Sequence, residues 1–330
     1  MTYAGTSFIK DSFMFKSVLL FSYLSLTLLA FSSFAQSTPE TIELAKKVPI
    51  ADVHMHTYEQ NPRSAIWWRE QMDANNVKWG GAVGDYRPDV QAELQERYIP
   101  TLGQVAYFKV FFKDGPSGLT DPDNPIFKDL YQRADQLFKA GLVKGFGEFH
   151  TDNHSSGHPR IRRSIRTDNP AMRKFYAIAD QYSGFVQIHS ELDAAFERDI
   201  LSLSSDFPNV TTVLAHCLST RNAKSVGVLL GQRSNVVCEM SATGNVHNRL
   251  LGINRSAHAF DYFGLHKEWQ NLMKSYPDQF MIGSDSCCGL DGSYADIIHE
   301  LRTNLLPYLP IENLEKVAYK NAVRIFKLKD

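Results

Sequence analysis

The sequence predicts an α/β fold, specifically a (β/α)8 TIM barrel in which eight parallel strands form one closed sheet. Short apolar runs, typical of buried parallel strands, alternate along the chain with segments of helical periodicity. There are eight such runs, the number that a closed barrel requires. No Gly-x-Gly-x-x-Gly motif follows the first run, so the alternative of an open, doubly wound dinucleotide-binding sheet has no support.

The predicted elements follow one another over residues 36–330, which we expect to form a single domain. Strands are expected at 48–57, 77–83, 104–112, 143–150, 184–190, 210–217, 235–241 and 279–286. Helices are expected at 38–47, 64–76, 90–102, 126–140, 170–182, 192–205, 223–230, 265–276, 294–306 and 311–326. The run 104–112 is the most strand-like of all, because it is rich in Val and Phe.

Charge and composition indicate a globular protein with a small-molecule partner. The 330 residues include 35 basic and 36 acidic side chains, for a net charge of −1, and 43% are hydrophobic. A balanced charge provides no basic surface that would attract a polyanion, so we expect no nucleic-acid partner. The oligomeric state is left open.

The N-terminus differs in composition from the rest of the chain. Lys16 precedes a short apolar run, and the small residues Ser33 and Ala35 lie before Gln36, as at a signal-peptidase site. We therefore expect residues 1–35 to be a secretory signal peptide, with Met14 as an alternative start. An uncleaved membrane anchor is the weaker alternative, since polar residues interrupt the run. The expected product is exported to the periplasm or secreted, without a stable membrane anchor.

Four cysteines are too few to form a disulfide framework in a chain of this length. Cys217 and Cys238 fall in consecutive predicted strands, and a disulfide between them is one alternative. Buried free thiols are the other alternative and the one that we expect. Cys287 and Cys288 follow Asp285 closely, where they would line a pocket without acting in it.

Residues of the types that bind metals occur at the ends of predicted strands. His54 and His56 are two residues apart in the first strand, a spacing that places both on one face. The carboxyl ends of all barrel strands meet on the face where active sites of this fold lie, so the following residues are expected to converge there: His54, His56, Glu148, His189, His216 and Asp285. Imidazole and carboxylate ligands suit zinc, with manganese, iron or cobalt as alternatives.

These motifs resemble those of the metal-dependent amidohydrolase superfamily, specifically its TIM-barrel hydrolase branch, amidohydrolase-2. The resemblance covers nearly all of residues 36–330 and includes the final helix, 313–326. It is carried by four segments: Asp52-Val53-His54-Met55-His56, Gln187-Ile188-His189-Ser190, Val213-Leu214-Ala215-His216-Cys217 and Gly283-Ser284-Asp285-Ser286.

The resemblance implies roles for these residues. His54, His56 and Asp285 would bind a divalent metal, with His189 as a further ligand. His216 would be a ligand to a second metal or an acid/base of the pocket. Glu148 departs from this branch and is similar to the Glu on strand four of TatD-like nucleases, which bridges two metals, so one or two ions are expected.

The chemistry expected of such a site is hydrolysis by a metal-activated water. Asp285 is the candidate base that accepts the proton of that water, and His216 is the candidate group that stabilises charge on the substrate oxygen. The expected substrate is a small molecule with an amide, lactone or ester bond. Three alternatives stay open: a non-oxidative decarboxylase, a TatD-like phosphodiesterase or nuclease, and a catalytically silent metal-binding protein.

Substrate recognition is expected from the loops that follow the strands. The long loop 151–169 is rich in Arg and His, and an Arg guanidinium matches the geometry of a carboxylate. The stretch before the eighth strand contributes further candidates, including Trp269. The predicted substrate-binding residues are Arg160, Arg162, Arg163, Arg166, Arg249 and His258.

Overall fold

The computed structural model describes residues 36–58, 63–155, 159–219, 222–250, 259–287 and 293–329. The predicted signal peptide 1–35, the alternative start Met14, and the loop residues His158 and His258 lie outside these ranges. Within them, no helix is long and apolar enough to cross a membrane.

Strands and helices alternate through the chain, which gives an α/β fold. The strands are β1 (Ile50–Thr57), β2 (Val77–Gly84), β3 (Tyr98–Ile99), β4 (Thr101–Gly103), β5 (Gly145–His150), β6 (Phe185–His189), β7 (Thr211–Leu214), β8 (Val236–Glu239), β9 (Phe260–Asp261), β10 (Gly264–Leu265) and β11 (Phe280–Met281). The α-helices are α1 (Pro39–Lys47), α2 (Ala65–Ala74), α3 (Pro88–Leu94), α4 (Gln104–Gly118), α5 (Pro125–Lys139), α6 (Pro170–Gln181), α7 (Ala194–Asp206), α8 (Ala223–Gln232), α9 (Asn245–Leu250), α10 (Lys267–Ser275), α11 (Tyr294–Glu300), α12 (Ile311–Glu315) and α13 (Asn321–Phe326).

Side-chain caps explain where several helices begin. The Thr38 hydroxyl accepts from the Thr41 amide ahead of α1, and the Asn169 side chain accepts from the Met172 amide ahead of α6. Both helices start with Pro, whose missing N–H costs nothing in the first turn. These caps agree with the starts that the sequence predicts.

The main strands pair in parallel. One sheet has the order β1-β2-β3, and a second has the order β11-β8-β7-β6-β5-β4. Only Pro100 separates β3 from β4, and a parallel bridge joins Asp52 to Ile282, just after β11. At that bridge the Val53 amide donates to the Ile282 carbonyl at 3.1 Å. β9 and β10 form a separate antiparallel pair.

Two hydrophobic clusters form the core. The larger packs the helices against the sheet. The smaller gathers side chains from seven strands and α13, including Trp79, Phe185 and Phe326. Trp269, which we expected near a pocket, is fully buried in the larger cluster. Val53 and Met55 lie in different clusters, because the register of β1 against β2 shifts between Asp52 and Met55.

The third strand differs from its prediction. Residues 104–112 belong to α4, and the strand lies earlier, at 98–103, where we expected the end of a helix. In α4, Tyr107 and Val110 are three residues apart, as on one face of a helix, and both are buried. Phe112 is 65% exposed. A continuous apolar run fits a helix and a strand equally well by periodicity, so the prediction of a strand at 104–112 was wrong.

The expectation of free thiols was also wrong. Cys217 and Cys238 form a disulfide between the ends of the neighbouring strands β7 and β8. Among the residues that the structure describes, no cysteine is a free thiol. Parallel pairing of Leu214 with Cys238 brings the two cysteines close enough to bond.

Candidate metal centre

The structure brings the six predicted ligand residues together. Each lies in the carboxyl half of its strand or within four residues beyond the strand end, and these ends meet on one face of the parallel sheet. Neighbouring imidazoles form an arc in the order His56, His54, His216 and His189, with adjacent ring centroids 4.7–5.1 Å apart. Most of these side chains are buried, so they form a largely enclosed polar cluster.

One part of the site, which we call the first cluster, consists of His54, His56 and Asp285. Asp285 Oδ1 lies 3.1 Å from His56 Nε2 and 3.4 Å from His54 Nε2. The Asp285 amide donates to the His54 carbonyl at 3.0 Å, which ties the segment after β11 to β1. The three ligand atoms therefore converge from two segments that are distant in sequence.

The first cluster fits a divalent metal. Ligand atoms about 2.1 Å from a tetrahedral ion lie about 3.4 Å from one another. The distances around His54 Nε2 match that separation: 3.4 Å to Asp285 Oδ1 and 3.6 Å to Glu148 Oε2. This nitrogen is buried and has no hydrogen-bond partner, which is costly unless an ion or another ligand binds there.

Glu148 lies at the centre of the arc. Its Oε1 is 2.9 Å from His189 Nδ1 and 3.3 Å from His216 Nε2. Burial alone would raise the pKa of Glu148, but the imidazoles of His150, His54 and His189 hold it well below its usual value. The carboxylate is therefore charged, and it is available to more than one cation.

His150 is a site residue that the sequence analysis missed. Its Nε2 is 3.0 Å from Glu148 Oε2, and its ring stacks on His189 with centroids 4.3 Å apart. Burial lowers the pKa of His150 to about 4, so the ring is neutral at physiological pH. A signal was present, because residues two apart in a strand share a face and Glu148 was already a candidate. Glu148, His150 and His189 form what we call the second cluster.

Glu239, at the end of β8, is the other missed residue. It is fully buried, and its Oε1 accepts from His54 Nδ1 at 2.8 Å and from the His216 amide at 2.7 Å. A carboxylate that accepts a hydrogen bond from Nδ1–H fixes the tautomer in which Nε2 of the same ring can bind a metal. Glu239 thus orients His54 toward the first cluster. Its position at a strand end was the signal that could have found it.

Asp52 holds the two halves of the first cluster together. This buried carboxylate accepts from the Ser284 amide at 2.7 Å and from the His54 amide at 3.2 Å. Burial raises the pKa of Asp52, and these hydrogen bonds oppose that effect. The His54 strand and the segment that carries Asp285 are therefore joined by one side chain as well as by the backbone.

The turn that carries His216 has an unusual backbone. His216, Cys217 and Leu218 all have positive φ, between 44° and 67°, although none is glycine. Such residues persist only where the surroundings over-determine them, often at functional sites. Here the disulfide to Cys238 and the hydrogen bond from His216 Nδ1 to the Ser241 hydroxyl, at 2.8 Å, hold the turn.

The charges of the site favour a bound cation. Burial by itself lowers the pKa of His54, yet the carboxylates of Glu239, Glu148 and Asp285 raise it well above its usual value. The pKa of Asp285 is lowered by His54 and His56, although burial opposes this. Because metal ligands bind without protons, a cation would displace a proton from these imidazoles.

The predicted substrate-binding arginines lie in different environments. Arg160, Arg162 and Arg249 are exposed. Arg166 is engaged by the buried carboxylate of Asp199, through Nε at 2.8 Å. Arg163 is buried and donates to the His150 carbonyl at 2.7 Å.

Arg163 also stacks on aromatic rings. Its guanidinium carbon lies 4.3 Å from the Phe111 ring centroid and 5.0 Å from that of Phe108. Arg163 thus donates directly to the backbone of the second cluster, at His150.

A family comparison identifies the kind of protein to which this site belongs. The family model described as amidohydrolase matches residues 50–328, nearly the whole described chain. The chain belongs to the amidohydrolase family. This family consists of enzymes that are typically metal-dependent, in agreement with the ligand clusters of the site. No curated protein sequence matches the chain.

Solved structures resemble this fold at low sequence identity. A candidate 2-pyrone-4,6-dicarboxylic acid hydrolase from Pseudomonas putida is 12% identical, with 85% of this chain and 98% of that chain covered and a TM-score of 0.52. The 5-carboxyvanillate decarboxylase from Sphingomonas paucimobilis is 13% identical, with 86% and 100% covered and a TM-score of 0.49. A 2,6-dihydroxybenzoate decarboxylase from Rhizobium is 11% identical, with 85% and 99% covered and a TM-score of 0.45. At these identities the likeness concerns the fold alone.

Proposed function

We propose that this amidohydrolase family member is an exported, metal-dependent hydrolase that cleaves an amide, lactone or ester bond in a small molecule. One observation carries the proposal. His54 Nε2 is buried without a hydrogen-bond partner and faces the carboxylates of Asp285 and Glu148 at 3.4 and 3.6 Å. The proposed ligands are His54, His56 and Asp285, with Glu148, His189 and His216 beside them. Zinc is the favoured ion.

Asp285 and His216 have different proposed roles in hydrolysis. A bound divalent ion makes a water acidic and polarises a carbonyl oxygen. The Asp285 carboxylate accepts the proton of the attacking water and returns it to the leaving group. His216 in its imidazolium form, which Glu148 and Asp285 favour against burial by raising its pKa, donates a hydrogen bond from Nε2 to the oxygen on which negative charge develops. The hydrogen bond from its Nδ1 to Ser241 keeps Nε2 directed into the site.

We infer that the two sheets are parts of one closed eight-stranded barrel. The single residue Pro100 joins β3 of one sheet to β4 of the other, and the Asp52–Ile282 bridge links the opposite edges. The smaller core cluster supports closure as well, because one small group of side chains draws on seven strands. In a barrel, these are the side chains that fill the interior.

Export is supported by the disulfide between Cys217 and Cys238, since such bonds persist mainly in oxidising compartments. The N-terminal segment 1–35 keeps its proposed role as a signal peptide. Processing is tested by mass spectrometry of the exported protein. A mature N-terminus at Gln36 supports export, and an intact N-terminus in the cytoplasm contradicts it.

The reaction is tested on purified protein loaded with Zn²⁺ or Mn²⁺ and a panel of lactones, esters and amides. In ¹⁸O-labelled water, hydrolysis transfers label to the product carboxylate. Release of CO₂ from a carboxylated substrate without label in the product would instead establish the decarboxylase alternative.

The other two alternatives have their own readouts. Digestion of single-stranded DNA with Mg²⁺ or Mn²⁺ would support a TatD-like nuclease, which the position of Glu148 favours and the balanced charge disfavours. Tight metal binding with no turnover, and a cellular effect that survives Asp285→Asn, would support a silent metal-binding protein.

A further inference from the structure

The disulfide between Cys217 and Cys238 lies directly beside the site. Cys217 follows His216 in the turn after β7, and Cys238 precedes Glu239 at the end of β8. The Cα atoms of the two cysteines are 4.8 Å apart. Next to this bond, the His216 amide donates to Glu239 Oε1 at 2.7 Å. The covalent bond and the hydrogen bond therefore join the same two strand ends, and each end carries a site residue.

We propose that this disulfide is a positioning element of the active site and that hydrolysis depends on its formation. The chain is then inactive while Cys217 and Cys238 are thiols, and it becomes active when they are oxidised in the compartment to which it is exported. The inference rests on the proposed function, because it concerns the orientation of His216, the proposed donor to the substrate oxygen.

The turn that carries His216 has a backbone conformation that its residues do not favour by themselves. His216, Cys217 and Leu218 are consecutive residues with φ of 54°, 44° and 67°. Residues other than glycine rarely adopt left-handed backbone, and when they do it is usually as single residues. The surroundings of the turn therefore hold it in place, and the disulfide is a covalent part of those surroundings.

Reduction of the disulfide would leave too little room for the two side chains. Cys217 and Cys238 are both fully buried. Unbonded sulfur atoms lie farther apart than bonded ones, and a close-packed interior has no space into which they could separate. The ends of β7 and β8 must therefore shift against each other. This shift moves the backbone of His216 and Glu239, the residues next to the two cysteines.

Such a shift changes the direction of the His216 imidazole. His216 Nδ1 is 2.8 Å from the Ser241 hydroxyl, which donates to Glu239 Oε1 at 3.0 Å. The same carboxylate oxygen accepts from His54 Nδ1 at 2.8 Å. Movement of Glu239 thus reorients both His216 and a proposed metal ligand. A displacement of about 1 Å in an active site can lower the rate by ~10²-fold.

Formation of the disulfide is a two-electron oxidation by an external disulfide. The thiolate of one cysteine attacks the external disulfide, and the other cysteine then attacks the mixed disulfide, so that the bond between Cys217 Sγ and Cys238 Sγ forms. The external disulfide takes up the two electrons and leaves, with the two protons, as a pair of thiols. Because both cysteines are buried in the folded protein, this exchange takes place while the chain folds. Oxidising compartments favour it and the cytosol does not, so activity follows export.

The test compares three forms of the full chain: wild type refolded with oxidised glutathione, wild type refolded with a reductant, and Cys217→Ala/Cys238→Ala. Hydrolysis of para-nitrophenyl acetate and of the lactone and amide panel is measured at saturating Zn²⁺. Relative to the oxidised wild type, kcat should fall by about 10–100-fold in the other two forms, while KM changes by less than about threefold. Circular dichroism establishes that each form is folded.

The second measurement needs neither metal nor turnover. The imidazole NMR signals of ¹⁵N-histidine-labelled, metal-free protein report the surroundings of each ring, and His216→Gln identifies the His216 signal. This signal should shift in the reduced form and in the double variant. The signal of His299, an exposed residue of α11, should stay unchanged.

Leu314→Ala is the matched control for stability. Leu314 is fully buried in α12, an element without site residues, so its truncation destabilises the fold but should change neither kcat nor the His216 signal. The double cysteine variant should not respond to the reductant, which excludes an effect of the remaining cysteines.

A fall in kcat together with a shifted His216 signal, in both forms without the disulfide, supports the proposal. Unchanged kcat, a fall in kcat without a shift of the His216 signal, or an equal loss of kcat in Leu314→Ala overturns it. If oxidised wild type hydrolyses nothing in the panel, the proposed function itself fails. The His216 signal then decides the positioning role alone: a shift supports it, and an unchanged signal overturns it.

Discussion

The first and second clusters adjoin each other at Glu148 but are assembled differently. The first joins His56 to Asp285 across 229 residues of sequence, whereas the second joins Glu148 to His189 across 41, on neighbouring strands. Asp52 and Glu239 support the first cluster through several hydrogen bonds to backbone and imidazole. The second is supported mainly by ring stacking and strand pairing.

This difference separates two ways of positioning a ligand. Hydrogen-bonded carboxylates fix the tautomer and the direction of an imidazole, so they favour tight and specific binding. Stacking fixes the plane of an imidazole ring, but it does not determine which ring nitrogen carries the proton. We therefore expect substitutions in the first cluster to lower the catalytic rate more than substitutions in the second.

The largest effect is expected for Asp285→Asn. Because the amide cannot accept the water proton, kcat should fall by about 10²–10⁴-fold. In the same assay at saturating metal, the kcat of His150→Gln should fall less than that of Asp285→Asn. Steady-state kinetics with each variant tests this contrast. Retention of more than about a tenth of wild-type kcat by Asp285→Asn would remove the proposed base role.

Removal of the disulfide should have the next largest effect. A bond that closes a loop over 21 residues of sequence contributes about 3 kcal/mol to the free energy of unfolding. The double variant Cys217→Ser/Cys238→Ser should lose that amount in urea unfolding of metal-free protein. Reductant should destabilise wild type and leave the variant unchanged. Equal stability of the two proteins without reductant would contradict the prediction.

Glu239→Gln tests the hydrogen-bonded support of the first cluster. Loss of the carboxylate charge should weaken binding of the tightly held ion by about 10–100-fold. Competition with a metal chelator measures this affinity. Glu300→Gln is the control, because Glu300 is a buried carboxylate that accepts from the Asn245 and Val246 amides instead. An equal loss of affinity in both variants would indicate a general folding effect.

The smallest effect is expected next to the second cluster. Arg163→Met removes the donor to the His150 carbonyl and should lower the free energy of unfolding by about 1–2 kcal/mol. Arg162→Met, at an exposed neighbour, should stay within about 0.5 kcal/mol of wild type. Thermal and urea unfolding of both variants test the difference. If the two variants match, the Arg163 contact contributes nothing measurable.

Local patterns predicted most of the fold. Seven of the eight expected strands overlap observed ones, because a buried run bounded by turn residues is recognisable without neighbours. The prediction of the third strand failed because 104–112 is apolar except for Gln104 and Lys109, and such a run does not show which helical face is buried. Closure of the barrel stays an inference from Pro100 and the Asp52–Ile282 bridge.

The sequence by itself determined which residues could bind a metal. His54 and His56 share a face because of the strand period, and Glu148, His189, His216 and Asp285 were found at strand ends. Only the tertiary structure decided how they are grouped. The pairing of His150 with His189, the contact of Glu239 with His54 and the Cys217–Cys238 bond all depend on the register between strands. Register is set by packing across the whole sheet, and no local stretch of sequence records it.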